Sequence, residues 1–171
     1  LVLSGWRPDQ FADLVRLHGD PAVTRYFTPD RPWTETEMRT ALAGWIALFS
    51  SRRLGKLRVR RKSDGVLVGR AGYGVLETTG EPELGYALYP EYWGNGYALE
   101  AASALRDWIF RATDIDHFVG IADIRNAGSL AILTRIGMTK THVDTRANGR
   151  RYQCHIYHRQ DQAAGAAQTL P

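Results

Sequence analysis

Read for its apolar positions alone, the chain switches between a helical and a strand period. Residues 1–3, Leu-Val-Leu, predict a short strand. Apolar residues then recur at helical spacing, with Phe11, Leu14, Val15 and His18 on one face and Gly19, Asp20 and Pro21 as the stop. Residues 24–33 carry two prolines and the aromatics Tyr26, Phe27 and Trp33, which predicts a structured loop. Thr34 opens a second helix. Thr34 and Glu37 have the spacing of a capping box, in which each side chain satisfies a free amide of the first turn. Met38, Leu42, Trp45, Ile46 and Phe49 form its buried stripe.

The next segments read as strands. Residues 56–62 alternate, Ser63-Asp64-Gly65 is a turn signal, and residues 66–76 form the second arm of a hairpin. After a polar turn at residues 78–82, residues 83–89 read as a third strand. A helix over residues 97–110 buries Ala98, Ala101, Leu105, Trp108 and Ile109. Residues 118–122 are a short strand, and residues 126–136 a helix ended by Gly137. Residues 138–145 and 151–157 form a hairpin around Asn148-Gly149, a two-residue turn signal. Hairpins therefore precede one strand–helix–strand crossover. That order predicts a mixed sheet covered by helices, an α/β or α+β architecture, and argues against a doubly wound dinucleotide fold. Residues 1–159 read as one domain, and residues 160–171 as a flexible tail with little to bury.

Composition narrows the chemistry. No apolar run approaches the roughly 20 residues that span a bilayer, and no signal-peptide series is visible at the start. One cysteine, Cys154, leaves no internal disulfide and no cysteine-rich zinc site, which fits a reducing cytoplasm. His155 and His158 are three apart near a strand end, so they face opposite sides and make no metal site. His18, on an apolar helix face, reads as core. The net charge is +4. It is concentrated at Arg52, Arg53, Lys56, Arg58, Arg60, Arg61 and Lys62, with no acid between. This stretch could meet an anionic partner. Alternation with Leu57 and Val59 favours instead the solvated face of a strand. Without interleaved aromatics or a reading motif, nucleic-acid binding ranks last.

The most informative stretch is ELGYALYPEYWGNGYALEAA, residues 83–102. A strand runs into Pro90, a glycine loop and at once a helix. Gly94 and Gly96 let backbone amides approach a ligand closely. The amides of Tyr97 and Ala98 are unpaired donors of a first helical turn, so the segment can cradle a phosphate or pyrophosphate. A P-loop needs Lys-Ser or Lys-Thr where Tyr97-Ala98 stand. A dinucleotide fingerprint needs a small residue where Leu99 stands. Taken alone, a single G-x-G reads as a tight turn into a helix rather than as a phosphate site.

The flanks decide between these. The strand E-L-G-Y-A-L (Glu83 to Leu88), the run P-E-Y-W-G-N-G-Y-A (Pro90 to Ala98) and the segment R-N-A-G-S-L-A-I-L-T-R-I-G-M (Arg125 to Met138) together resemble the GNAT superfamily of acetyl-CoA-dependent N-acetyltransferases. The likeness is closest to the branch named for the ribosomal-protein acetyltransferases RimJ and RimL. W-R-P-D-Q-F-A-D-L (Trp6 to Leu14) and D-P-A-V-T-R-Y-F (Asp20 to Phe27) match in style. The resemblance implies a mixed, mostly antiparallel sheet of about seven strands flanked by about four helices. It implies acetyl-CoA as cosubstrate and a primary amine, on a protein N-terminus or a small molecule, as acceptor, and suggests a homodimer. Together with the composition, the expectation is no metal, no nucleic acid, no membrane and a cytoplasmic setting. A non-catalytic acyl-CoA sensor on the same fold is the alternative.

Two departures matter. Glu91 occupies the first position of the family's phosphate motif, where a carboxylate must turn away. Leu133 stands where many members place a tyrosine acid, and the branch's serine maps to Ser129. The resemblance thus implies Ser129 as general acid, although a serine there could simply cap or pack the first turn. Glu83 is the candidate base, acting through water, or else a strand carboxylate satisfied by a neighbour. The cofactor would lie along Ala87, Leu88 and Tyr89, with a backbone amide of a bulged strand near Leu88 stabilising the oxyanion. It would continue over Gly94, Asn95, Gly96, Tyr97 and Ala98, and Asn126 would bond the pantetheine while capping its helix. Tyr26 and Trp33 are the candidate acceptor wall, or ordinary aromatic core.

Overall fold

The computed structural model describes residues 1–27 and 29–162. Its sheet has seven strands in the order β1-β2-β3-β4-β5-β7-β6. The strands are β1 (Val2–Ser4), β2 (Gly55–Arg60), β3 (Leu67–Val75), β4 (Pro82–Leu88), β5 (His117–Asp123), β6 (Thr139–Thr145) and β7 (Arg151–His158). Every pairing is antiparallel except β4 with β5. The helices are α1 (Phe11–His18), α2 (Pro21–Thr24), α3 (Glu35–Arg52), α4 (Tyr97–Ala112) and α5 (Ala127–Arg135). This is the mixed, mostly antiparallel architecture that the sequence predicts. Most of the predicted tail, residues 163–171, lies outside the described residues.

Local chemistry explains the boundaries. The capping box forms: Glu37 N donates to Thr34 Oγ1 at 3.3 Å, and Thr34 N to the Glu37 carboxylate at 2.7 Å. Residues 21–24, between the predicted helix stop and the loop predicted from residue 24, make one helical turn. Pro21 presets its first φ and the Asp20 carboxylate accepts from Ala22 N at 2.7 Å. In α1 the buried face is Leu14, Leu17 and His18, an i, i+3, i+4 set, so Val15 is exposed rather than packed. The β6–β7 connection is longer than a two-residue turn. Gly149 N donates to Arg146 O and Arg146 N to Arg150 O, with Gly149 at φ +76°. That is a three-residue loop whose left-handed position glycine fills without strain.

Helices cover both faces of the sheet. On one, α4 and α5 set Ala101, Leu105, Ile109 and Leu133 against Val59, Val68, Tyr73, Leu84, Leu88 and Phe118. Each large apolar side chain buried there contributes about 1.5–3 kcal/mol. On the other, α1 and α3 bring Leu14, Leu17, Met38 and Leu42 together with Trp6, Val23, Ala87 and Tyr89 in two smaller clusters. This second cover overturns the solvated-face reading of the basic stretch. Lys56 does alternate with Leu57, but it is 7% exposed, and Arg58 pairs with Asp13 of α1.

The feature that makes a site is the parallel seam. β4 and β5 pair only at Glu83 and Val119. Beyond that point they diverge, and a wedge opens through the middle of the sheet. No helix among the described residues is long and apolar enough to cross a membrane.

Candidate active site

The wedge is the mouth of a cavity of about 960 Å³. Its β4 wall carries the backbone donors. β3 and β4 stay in continuous register from Gly69–Leu88 to Val75–Pro82, so the expected bulge near Leu88 is absent. Divergence from β5 does the work of a bulge. Tyr89 N donates back to Val68 O, and amides alternate sides along an antiparallel strand. The Leu88 and Tyr86 amides therefore point away from β3, into the wedge. Trp93 Nε1 donates to Leu88 O at 2.9 Å and closes the end of the strand.

The glycine loop follows. Gly94 and Gly96 have φ of +77° and +78°, and a Cβ built on either meets no atom within 4 Å. Glycine is there for backbone conformation and for open space above it, as a close backbone approach to a ligand requires. Gly96 is the N-cap of α4, so the first-turn amides of Tyr97 and Ala98 face the same cavity. Glu91 has turned away as required: Arg16 Nη2 of α1 donates to its Oε1 at 2.8 Å. These residues suit the pyrophosphate and pantetheine of acetyl-CoA.

Asn126 caps α5, its Oδ1 accepting from Ser129 N at 3.1 Å. Among the described residues its amide nitrogen donates to no protein group, and Asn126 lines the cavity. Ser129 is thus not the cap. Its Oγ lies 3.0 Å from Tyr86 Oη, and Tyr86 also donates to Ser129 O at 3.1 Å. Burial pushes the Tyr86 phenol up to about 12, against a smaller lowering by the Ser129 bond. Tyr86 stays protonated and is the residue that the sequence reading passed over. Alternation along E-L-G-Y places Tyr86 on the face opposite Glu83 and Gly85, but its partner is 43 residues away.

On that opposite face, Glu83 meets Lys56. The ammonium donates to Gly72 O at 3.1 Å and Glu83 O at 3.2 Å, and sits 3.8 Å from the Glu83 carboxylate. A Cβ on Gly85 would lie 2.7 Å from this nitrogen, so the glycine of E-L-G-Y makes room for it. Burial pulls the Lys56 ammonium down to about 8. Glu83 opposes that shift and Arg70 adds to it. Arg70 of β3, 6% exposed, donates through Nε to His18 Nε2 at 2.8 Å. Burial, then Arg70, drives His18 down to about 2, so it is a neutral acceptor in the core, as the sequence reading has it.

The outer wall is aromatic. Trp33 packs on His18 with ring centroids 4.1 Å apart, and Tyr26 lines the cavity beside Arg25. Asp123, 2% exposed, anchors this wall. It accepts from Arg125 and from Arg150, and Arg150 also donates to Phe27 O and Arg25 O. The Arg125 and Arg150 guanidiniums hold its carboxyl well below the usual carboxylate range despite burial.

Of the residues singled out from sequence, Glu83, Ala87, Leu88, Gly94, Gly96, Tyr97, Ala98, Asn126, Ser129, Tyr26 and Trp33 line one cavity. Tyr89 and Asn95 do not. The Tyr89 ring is buried under α1 with its hydroxyl on Asp13 O, and Asn95 folds back onto Trp93 O. No group of three or more His, Cys, Asp or Glu among the described residues could hold a metal.

Residues 1–139 match the acetyltransferase (GNAT) domain, and the chain belongs to that family. It is 25% identical over 154 residues to YoaA, an uncharacterised N-acetyltransferase of Bacillus subtilis (strain 168), covering 87% of each. It superposes on the crystal structure of an acetyltransferase from Agrobacterium tumefaciens str. C58 with a TM-score of 0.79 and 25% identity, covering 92% of this chain and 90% of that one. RimL, a ribosomal L7/L12 alpha-N-protein acetyltransferase solved with coenzyme A, gives a TM-score of 0.76 at 19% identity, covering 91% and 92%. At that identity the likeness is one of fold.

Proposed function

We propose that this chain transfers the acetyl group of acetyl-CoA to a primary amine by direct attack within a ternary complex, in the manner of the RimJ/RimL-like branch. The observation that carries this reading is the wedge between β4 and β5. A backbone-lined groove reaches it from the α4 side, and a side-chain pocket reaches it from the α1–α3 side. The two substrates would meet there without exchanging places.

Acetyl-CoA supplies a thioester whose sulfur is the leaving group. The chain's residues do the rest. Amides at Gly96, Tyr97 and Ala98 hold the pyrophosphate. The Leu88 amide donates to the thioester oxygen as it gains charge. Glu83, reached through water, takes the proton that the attacking ammonium must lose. Ser129 gives its O–H proton to the departing sulfur and is reprotonated by the second proton that the nitrogen sheds as the amide forms. Tyr86 has one O–H, within reach of both Ser129 O and Ser129 Oγ. Turned to Oγ, it leaves the serine's own O–H free to point into the wedge, and in that arrangement Tyr86 positions the acid.

The test is thiol release from acetyl-CoA against a panel of amines and amino-terminal peptides, beside calorimetric binding of acetyl-CoA. Turnover with any amine supports the transferase. Tight acetyl-CoA binding without thiol release across the panel would return the sensor reading.

A further inference from the structure

The buried charges in the acceptor half of the cavity do not balance. Glu83 is matched by Lys56, and Asp123 by Arg125 and Arg150. Arg70 is left over. It lines the cavity, is more than nine-tenths buried, and no carboxylate lies within ion-pair distance of it among the described residues. Among the described residues only its Nε is bonded, to the neutral His18, and neither terminal nitrogen has an acceptor there. Glu83 acts on this guanidinium only from beyond ion-pair distance. A buried guanidinium with no carboxylate in contact is costly, and its cost falls when a ligand brings an oxyanion to it.

The surroundings fix what that oxyanion belongs to. The guanidinium carbon stands 5.0 Å from the Trp45 ring and 5.5 Å from the Phe27 ring. Stacking of this kind holds the planar group while leaving its outer edge for bidentate bonding to a carboxylate. Arg70 lies opposite Ala87 of β4, two positions from the Gly72–Gly85 pair over which Lys56 reaches Glu83. It is on the α1–α3 face, whereas the glycine cradle leads into α4 on the other. The charge therefore serves the acceptor and not the phosphates of the cosubstrate. Trp33 and Phe27 offer the remainder of the acceptor an apolar wall.

We infer that the acceptor is a small amine that itself carries a carboxylate, an amino acid in the simplest case, with Arg70 binding the carboxylate. This rests on the transferase reading and deepens it. A polyamine would add positive charge to a pocket that already holds an unmatched cation. A carboxylate neutralises that cation, and Lys56 beside the bound amine helps keep the amine unprotonated for attack.

Two measurements on the full chain separate this inference from the reading beneath it. In the thiol-release assay, the twenty amino acids are compared with their carboxamides and with spermidine. The acids should exceed the matched amides in kcat/KM by about 10- to 100-fold, the worth of a charge-assisted hydrogen bond. Arg70→Gln should erase that ratio by raising KM for the acids, Arg70→Lys should restore part of it, and both should keep the wild-type affinity for acetyl-CoA. In the second measurement, calorimetry on the CoA-bound protein reads binding without chemistry. Acids that bind while their amides do not uphold the Arg70 site even if no acetylation follows, and the failure then belongs to the transferase reading. Acetylation of amides or spermidine as well as acids, or a ratio untouched in a folded Arg70→Gln, overturns the inference and leaves the transferase standing.

Discussion

The two faces of β4 solve two binding problems by different means. Toward α4 the site is main chain: the Leu88 amide, two left-handed glycines and the first turn of a helix. Toward α1 and α3 it is side chains drawn from distant elements, Lys56 of β2, Arg70 of β3, Glu83 of β4 and Trp33 before α3. A main-chain site is written in a few adjacent residues and leaves its side chains free to drift, which suits a ligand that never changes. A side-chain site can be rewritten one residue at a time, which suits an acceptor that differs between relatives. One strand can carry both because its successive residues face opposite ways.

Four substitutions would break or sharpen this contrast, taken from the largest effect down. Asp123→Asn attacks the side-chain face at its anchor. Removing one partner of a buried pair costs about 3–5 kcal/mol, so urea unfolding should register a loss of that size. The wild-type pair should also respond to pH. Its carboxyl is held low in the fold, so its stabilisation is present above the ordinary value near 4 and is lost as pH falls through the lower folded value. Asp123→Asn should flatten that acid dependence. Glu83→Gln should lower turnover by about 10²-fold or more and flatten the acidic limb of the pH–rate profile, with acetyl-CoA affinity near normal. Wild-type turnover would make Glu83 merely the counter-charge of Lys56.

Ser129→Ala should slow the chemical step in single-turnover kinetics by roughly 10²-fold. The melting temperature should hold, because Asn126 and not Ser129 is the cap. Undiminished chemistry would leave the departing sulfur without help from this side chain. Gly96→Val tests the main-chain face alone. Open space means no clash, so the cost is the strain of a β-branched residue at φ +78° and the displaced amides. Acetyl-CoA affinity should fall by roughly 10- to 100-fold in calorimetry. Unchanged affinity would show that the amides do not hold the ligand.

The same contrast explains what could be read in the chain. The α4 face was legible because Gly94, Gly96 and the helix start are neighbours in sequence and their chemistry is local. The succession of seven strands along the chain followed from period and turn signals, whereas their order in the sheet did not. The face proposed for the acceptor was legible only in part: Glu83, Tyr26 and Trp33 could be named from the chain, and Lys56 and Arg70 could not. Lys56 sits in a basic run that alternates like a solvated strand, and only the cover of α1 and α3 reveals it as buried. Arg70 stands alone between Gly69 and Ala71, and its partners His18, Phe27 and Trp45 come from other elements. Tyr86 looked like one more strand aromatic until α5 brought Ser129 to its hydroxyl. The side chains of Tyr89 and Asn95 lie outside the cavity for the reverse reason. They adjoin residues that do face the wedge, and adjacency in a strand or a tight loop puts a side chain on the wrong side.

The strand order β5-β7-β6 has a consequence for how the molecule is made. β7 is inserted between two strands that both precede it in the chain. While residues 151–158 are still inside the ribosome, β5 has an unpaired edge and β6 has no neighbour at all. Arg150 cannot yet tie the loop around Phe27. The hairpin can zip locally, but its docking on β5 is a late, long-range event of the kind that slows folding. During that interval the wedge has only one finished wall, and an open strand edge is exposed to other chains. Nascent chains stalled just before and just after β7 emerges should therefore differ sharply in protease resistance.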